Sequence, residues 1–92
     1  MIVSFKHKGL RQFYESGSIA GIQTKHSNRL RLMFAALDTA LHNSDMNIPG
    51  FRPHQLKGSR DETWAISVSG NWRLTFNFMD GNVHILNYED YH

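Results

Sequence analysis

Ninety-two residues with 40% hydrophobic and 12% aromatic content suffice for one small globular domain spanning 1–92. The absence of cysteine excludes disulfides, thiolate metal sites and cysteine nucleophiles, and no apolar run approaches the ~20 residues of a membrane helix. Net charge is only +2, but residues 1–31 hold Lys6, Lys8, Arg11, Lys25, Arg29 and Arg31 against Glu15 alone, a dipolar pattern that fits a polyanion such as nucleic acid or an acidic protein.

Met1 to Phe5 is a short apolar run followed at once by Lys6, His7 and Lys8. It reads as a strand over 2–5 rather than as a signal peptide, and the chain is expected to be soluble and intracellular. Leu10, Phe13 and Tyr14 then recur at helical spacing, predicting a helix over 7–16 that Gly17 stops. Gly17, Ser18 and Gly21 mark a loop. A longer helix is predicted over 26–42, with Leu30, Met33, Phe34, Leu37 and Leu41 on its buried face and Ser27 or Asn28 as its cap. Arg29, Arg31, Asp38 and His42 fall on the opposite face. Asn47, Pro49, Gly50 and Pro53 make residues 43–53 a loop.

The remainder predicts an antiparallel meander, giving an α+β fold of a short N-terminal strand, two helices and then a mostly antiparallel sheet. Trp64, Ile66 and Val68 alternate with small or polar residues, as do Trp72, Leu74, Phe76 and Phe78. A shared apolar face requires paired numbers to sum to an even value, which sets Val68 opposite Trp72 across Ser69, Gly70 and Asn71. Asp80-Gly81 signals a two-residue hairpin turn pairing Phe78 with Val83, Phe76 with Ile85, Leu74 with Asn87 and Arg73 with Tyr88. Phe76, Phe78, Val83 and Ile85 then form the covered face. Arg73, Thr75, Asn77, His84, Leu86, Tyr88 and Asp90 form the other, where chemistry is expected.

No phosphate loop, GxSxG elbow or HExxH motif occurs, and the histidines at 7, 26, 42, 54, 84 and 92 lack close zinc-site pairing. One constellation remains: His54, Lys57, Arg60, Arg73 and the terminal Asp90-Tyr91-His92. Metal-free RNA cleavage by the 2′-hydroxyl needs a base, an acid and cations for the phosphorane charge. Histidine titrates near ~6.5, arginine grips phosphate through two N–H groups, lysine acts as a point charge, and tyrosine stacks on bases. Each residue also has a plain structural reading. Arg73 equally fits a cross-strand partner of Glu89 or Asp90, His54 a loop residue, Lys57 and Arg60 a solvated turn, and His84, opposite Asn77, filler on an exposed sheet. Trp64, Trp72, Phe76 and Phe78 read as core, and His7, His26 and His42 receive no role.

The runs His54-Gln55-Leu56-Lys57-Gly58, Trp64-Ala65-Ile66-Ser67-Val68, Asn71-Trp72-Arg73-Leu74-Thr75-Phe76 and Asn87-Tyr88-Glu89-Asp90-Tyr91-His92, with the opening Phe5-Lys6-His7-Lys8-Gly9-Leu10, resemble the HigB branch of the RelE/ParE toxin superfamily. The resemblance implies a RelE-like fold and a toxin of a type II toxin–antitoxin system in a bacterial cytoplasm. It implies a ribosome-dependent endoribonuclease that works without metal or cofactor and cuts mRNA in the decoding (A) site of the 70S ribosome. A HigA-like helix-turn-helix antitoxin would neutralise it and carry it to operator DNA only indirectly. Carried onto this chain, His54 and His92 share acid–base work with help from Asp90. Lys57, Arg60 and Arg73 bind the scissile phosphate, and Tyr91 places the nucleotide. The alternative within the superfamily is a non-catalytic, ParE-like inhibitor of gyrase, which would not need His54, Asp90 and His92.

Overall fold

The computed structural model describes residues 1–56 and 63–90. Helix α1 (Lys8–Ser16) and helix α2 (Ser27–Thr39) precede strands β1 (His54–Gln55), β2 (Thr63–Ser69), β3 (Trp72–Met79) and β4 (Asn82–Asp90). Short 3₁₀ turns at Thr24–His26 and Asn43–Met46 flank α2. The strands form one antiparallel sheet in the order β1-β2-β3-β4.

Helix α1 starts where His7 stays extended and its Nδ1 accepts the Leu10 N–H at 2.9 Å, filling a donor left open at the first turn. It ends as predicted: Gly17, at φ 80°, donates its N–H to the Phe13 carbonyl. Helix α2 stops three residues short of the predicted span. Its start has no side-chain cap, so neither Ser27 nor Asn28 serves. At the other end Thr39 turns its hydroxyl back onto the Ala35 and Ala36 carbonyls, and Ala40 is extended. The Asp45 carboxylate then takes the Leu41 and His42 N–H groups, capping the following turn in place of a fourth helical turn. Leu41, predicted to be buried, is therefore 68% exposed.

Leu10 and Phe13 of α1 and Leu30, Met33, Phe34 and Leu37 of α2 pack on Ile66, Val68, Leu74, Phe76, Val83, Leu86 and Tyr88 of the sheet. The predicted loop after α2 also supplies core, through Met46 and Phe51. Arg29, expected on the outer face, instead ties that loop to β2. Its guanidinium lies over the Phe51 ring and donates to the Gly50 and Ser67 carbonyls.

The register bears out the predicted pairings near the turn, where Phe78 faces Val83 and Asn77 faces His84. Met79 faces Asn82 across Asp80 and Gly81, both at positive φ, the backbone of a tight hairpin. Beyond that point β4 departs from strict alternation. Ile85 takes φ 57° and the register slips between Thr75 and Asn77, so one extra residue of β4 is absorbed as a bulge. Leu74 consequently faces Tyr88 rather than Asn87, and Arg73 faces Glu89 rather than Tyr88. Ile85 turns outward, while Leu86 and Tyr88, predicted on the polar face, are buried. Between β2 and β3 the even-sum register holds from Thr63↔Asn77 to Ser67↔Arg73. There the slip makes Ser69, not Val68, the partner of Trp72.

The N-terminal residues run parallel to β4 but touch it as two bridges, Ile2↔Val83 and Phe5↔Leu86, rather than as a continuous strand. Between the bridges Ile85 donates its N–H to the Ser4 hydroxyl, and Ile2 donates its own to Asp38. The same Asp38, predicted on the outer face of α2, also receives the Tyr14 hydroxyl at 2.7 Å, so one carboxylate joins the N-terminus to both helices.

Candidate active face of the sheet

Directly opposed residues on adjacent strands project to the same side of a sheet. One row on the side away from the helices therefore reads His54, Ala65, Thr75, Asn87, and its neighbour reads Ser67, Arg73, Glu89. A third row holds Thr63, Asn77 and His84, with the Thr63 hydroxyl donating to Asn77 Oδ1. His54 and Arg73 thus share a face, two strands and one row apart, or roughly 12 Å between Cα atoms on standard strand spacings. Both side chains are long enough to reach a phosphodiester lying between them.

His54 is exposed, and its Nδ1 lies 3.3 Å from the Arg52 carbonyl. A carbonyl can only accept, so Nδ1 is the donor of this contact, and in the neutral ring Nε2 is then the acceptor, the tautomer suited to removing a proton from a hydroxyl. Arg52 aims that carbonyl from a left-handed conformation, φ 49°, which is uncommon for a residue with a side chain. Arg73 is half-buried on β3.

Asp90 is placed differently from the expectation. It faces Trp72, on the side packed against the core, because the Ile85 bulge shifts the phase of everything after it. Glu89 is the acidic residue that faces Arg73, and its Oε2 receives the Thr75 hydroxyl at 2.6 Å. Thr75 and Glu89 were not among the predicted site residues, although Ile85-Leu86, two adjacent apolar residues in an alternating strand, carries the signature of a bulge. Lys57, Arg60, Tyr91 and His92 lie outside the described residues.

The end of β4 is anchored from beneath. Trp72 and Tyr88 stack with centroids 4.5 Å apart, and the edges of His7 and His26 close on Tyr88. The Tyr88 hydroxyl meets His26 Nδ1 at 2.5 Å and the Gln23 N–H at 3.4 Å. Burial pushes the Tyr88 phenol up and His26 down, the latter also repelled by Lys25, so both groups are held neutral. His26, given no role from sequence, is 2% exposed and belongs to this anchor.

An open cleft at the opposite end of the sheet is lined by Asn43, Gln55, Trp64, Phe78, Met79 and Asp80. One carboxylate and no cation among those residues makes it a poor seat for phosphate. Among the described residues no group of three or more histidine or carboxylate side chains is placed to hold a metal ion, and no helix is long and apolar enough to cross a membrane.

Comparisons with known proteins agree with this architecture. The chain is 45% identical over 92 residues to Endoribonuclease HigB of Proteus vulgaris, covering 100% of both chains. It is 36% identical over 83 residues to Toxin HigB-1 of Vibrio cholerae serotype O1, covering 88% of this chain and 87% of that one. In three dimensions it resembles a crystal structure of a YafQ mutant from E. coli with a TM-score of 0.65 at 16% identity, covering 98% of this chain and 91% of that one, a likeness of fold. Residues 3–92 match the model of the RelE-like toxin of type II toxin-antitoxin system HigB, and the chain belongs to that family.

Proposed function

We propose that this toxin is an endoribonuclease that cuts translated mRNA in the decoding (A) site of the ribosome, and that a HigA-like helix-turn-helix antitoxin holds it in check. Family membership supplies the toxin and its need for an antitoxin, and the relative named an endoribonuclease supports the activity. The observation that carries the chemistry is the sharing of one polar sheet face by His54 and Arg73.

On this reading a histidine removes the proton of the 2′-hydroxyl, whose oxygen attacks the adjacent phosphorus. The bond from phosphorus to the 5′-oxygen breaks, and an acid returns a proton to that oxygen. The products are a 2′,3′-cyclic phosphate and a free 5′-hydroxyl. His54 and His92 divide the acid–base roles, while Asp90, on the Trp72 side of β4, has no direct part in them. Arg73, Lys57 and Arg60 neutralise the phosphorane charge, and Tyr91 stacks on the base. On this reading the ribosome supplies the substrate geometry, holding a single strand in the orientation that in-line attack requires.

The test is to induce the toxin and map transcript 5′ ends. Cuts in register with the reading frame are expected, and Arg73→Ala or His92→Ala should abolish growth arrest while leaving antitoxin binding intact. Removing one charge-stabilising donor should lower the rate on the order of 10²–10³-fold. Growth arrest without cleavage, accompanied by inhibited gyrase, would replace the nuclease with the inhibitor reading. Efficient cutting of naked RNA would remove the ribosome from it.

A further inference from the structure

The bulge at Ile85 gives the cationic face a carboxylate that strict alternation would have turned inward. Glu89 faces Arg73 in register, and Arg73 faces Ser67 on its other flank. Thr75, one row away, is 2% exposed and spends its only hydroxyl hydrogen on Glu89 Oε2 at 2.6 Å, the length of a charge-assisted bond. The carboxylate is therefore held at one oxygen by a buried hydroxyl. Opposed residues on neighbouring strands lie about 4.5–5.5 Å apart at Cβ, close enough for opposite charges to interact.

The geometry points to Glu89 as a positioning residue of the RNA-cleaving face: Thr75 fixes the Glu89 carboxylate, and that carboxylate fixes the Arg73 guanidinium against the scissile phosphate. This rests on the proposed role of Arg73 as a phosphate ligand. A carboxylate pointed at a phosphate repels it, so direct contact with substrate is the wrong use for Glu89. Its use lies in alignment, because arginine is long and flexible and stabilises a transition state only when its planar fork is held in one orientation. Loss of alignment lowers kcat, while loss of the negative charge leaves substrate binding unchanged or tighter. Asp90, its neighbour in sequence, falls on the Trp72 side and cannot substitute by register.

The experiment measures cleavage of a defined mRNA on programmed ribosomes by the full chain and its variants. Glu89→Gln, which keeps the shape, should lower kcat on the order of 10²-fold with KM unchanged or reduced, since small misplacement of a catalytic group costs that much. Thr75→Val should fall in the same direction. Thr75→Ser, which keeps the hydroxyl, should restore activity to within about twofold, and the double variant should be no worse than Glu89→Gln. The pH–rate profile should keep its shape in all of them.

Wild-type kcat in Glu89→Gln, additive effects in the double variant, or loss of the acidic limb of the profile would each overturn the positioning role, the last by making Glu89 a proton-transfer group. If Glu89→Gln fails to fold, the comparison of Thr75→Val with Thr75→Ser decides alone. Failure of the unsubstituted chain to cut RNA on ribosomes overturns the nuclease reading and this proposal with it, whereas cleavage indifferent to Glu89 overturns this proposal only.

Discussion

Ile85 is a β-branched residue held at φ 57° in the interior of β4, with 50% of its surface exposed. In the left-handed region a Cβ crowds the neighbouring carbonyl oxygen at a cost of about 1–2 kcal/mol, which glycine escapes. Ile85→Ala keeps the Cβ and most of the strain. It also loses a half-exposed side chain worth about 1 kcal/mol, roughly half of a fully buried aliphatic group. Ile85→Gly loses the same contact and about 0.5–1 kcal/mol of backbone entropy, but recovers the about 1–2 kcal/mol of strain. The glycine variant should therefore be the more stable of the two, by up to about 1.5 kcal/mol and by about 0.75 kcal/mol at mid-range, the reverse of their order in a regular strand. Met79, 43% exposed at the end of β3 and absent from the positive-φ residues, is the control, and there alanine should win by about 0.5–1 kcal/mol. Urea unfolding with a common m value resolves such differences, and in a domain of this size they correspond to about 2–8 °C in Tm. Equal stability of the two Ile85 variants, or a more stable alanine, would refute a strained bulge as the device that sets the phase of β4.

The pH dependence of stability follows from three other groups. Tyr14 is pushed up to about 12, chiefly by its hydrogen bond to Asp38 and then by burial and the Asp38 charge. Its contribution is complete below the ordinary value of 10.0 and is lost as pH rises towards about 12, so Tyr14→Phe should flatten alkaline unfolding in that window. Burial, with help from Lys25, lowers His26 from 6.5, so the unfolded chain binds the proton more readily. Stability should fall as pH drops below 6.5, and His26→Gln should reduce the slope of acid unfolding followed by circular dichroism. His7, lowered from 6.5 by burial, adds to the same limb and caps α1 through Nδ1. His7→Ala should cost about 0.5–2 kcal/mol in a denaturant titration, and His7→Asn should restore most of it.

Much of this fold was legible because its elements repeat with the period of their own geometry. Leu30, Met33, Phe34 and Leu37 marked the buried face of α2, and Asp80-Gly81 fixed the last hairpin with its Phe78↔Val83 and Asn77↔His84 pairs. What escaped was decided by single residues acting across the fold. Asp45 ended α2 early by taking two N–H groups that the helical period could not anticipate. Asp38 and Arg29 looked like solvated charges, yet one holds the N-terminus and Tyr14 and the other holds the Gly50 carbonyl. Of the candidate site, His54, which had no strand or face in the sequence reading, shares a face with Arg73, Asp90 falls on the other face, and Lys57, Arg60, Tyr91 and His92 lie outside the described residues.

The bulge explains why the terminal acidic pair was the hardest part to read. With strict alternation Ile85 would be buried, Leu86 and Tyr88 would face solvent, and Asp90 would stand beside Arg73. With one residue absorbed, Leu86 and Tyr88 enter the core, and Glu89 faces Arg73 while Asp90 faces Trp72. Burying Leu86 and Tyr88, at about 1.5–3 kcal/mol each, outweighs both the about 1 kcal/mol lost by half-exposing Ile85 and the about 1–2 kcal/mol of strain at its left-handed backbone, so the core rather than the polar face selects the phase. A functional carboxylate in such a strand is assigned by the hydrophobic residues between it and the last irregularity. Here the stacked Trp72 and Tyr88, locked to His26, determine which of the two neighbouring acids stands beside the arginine.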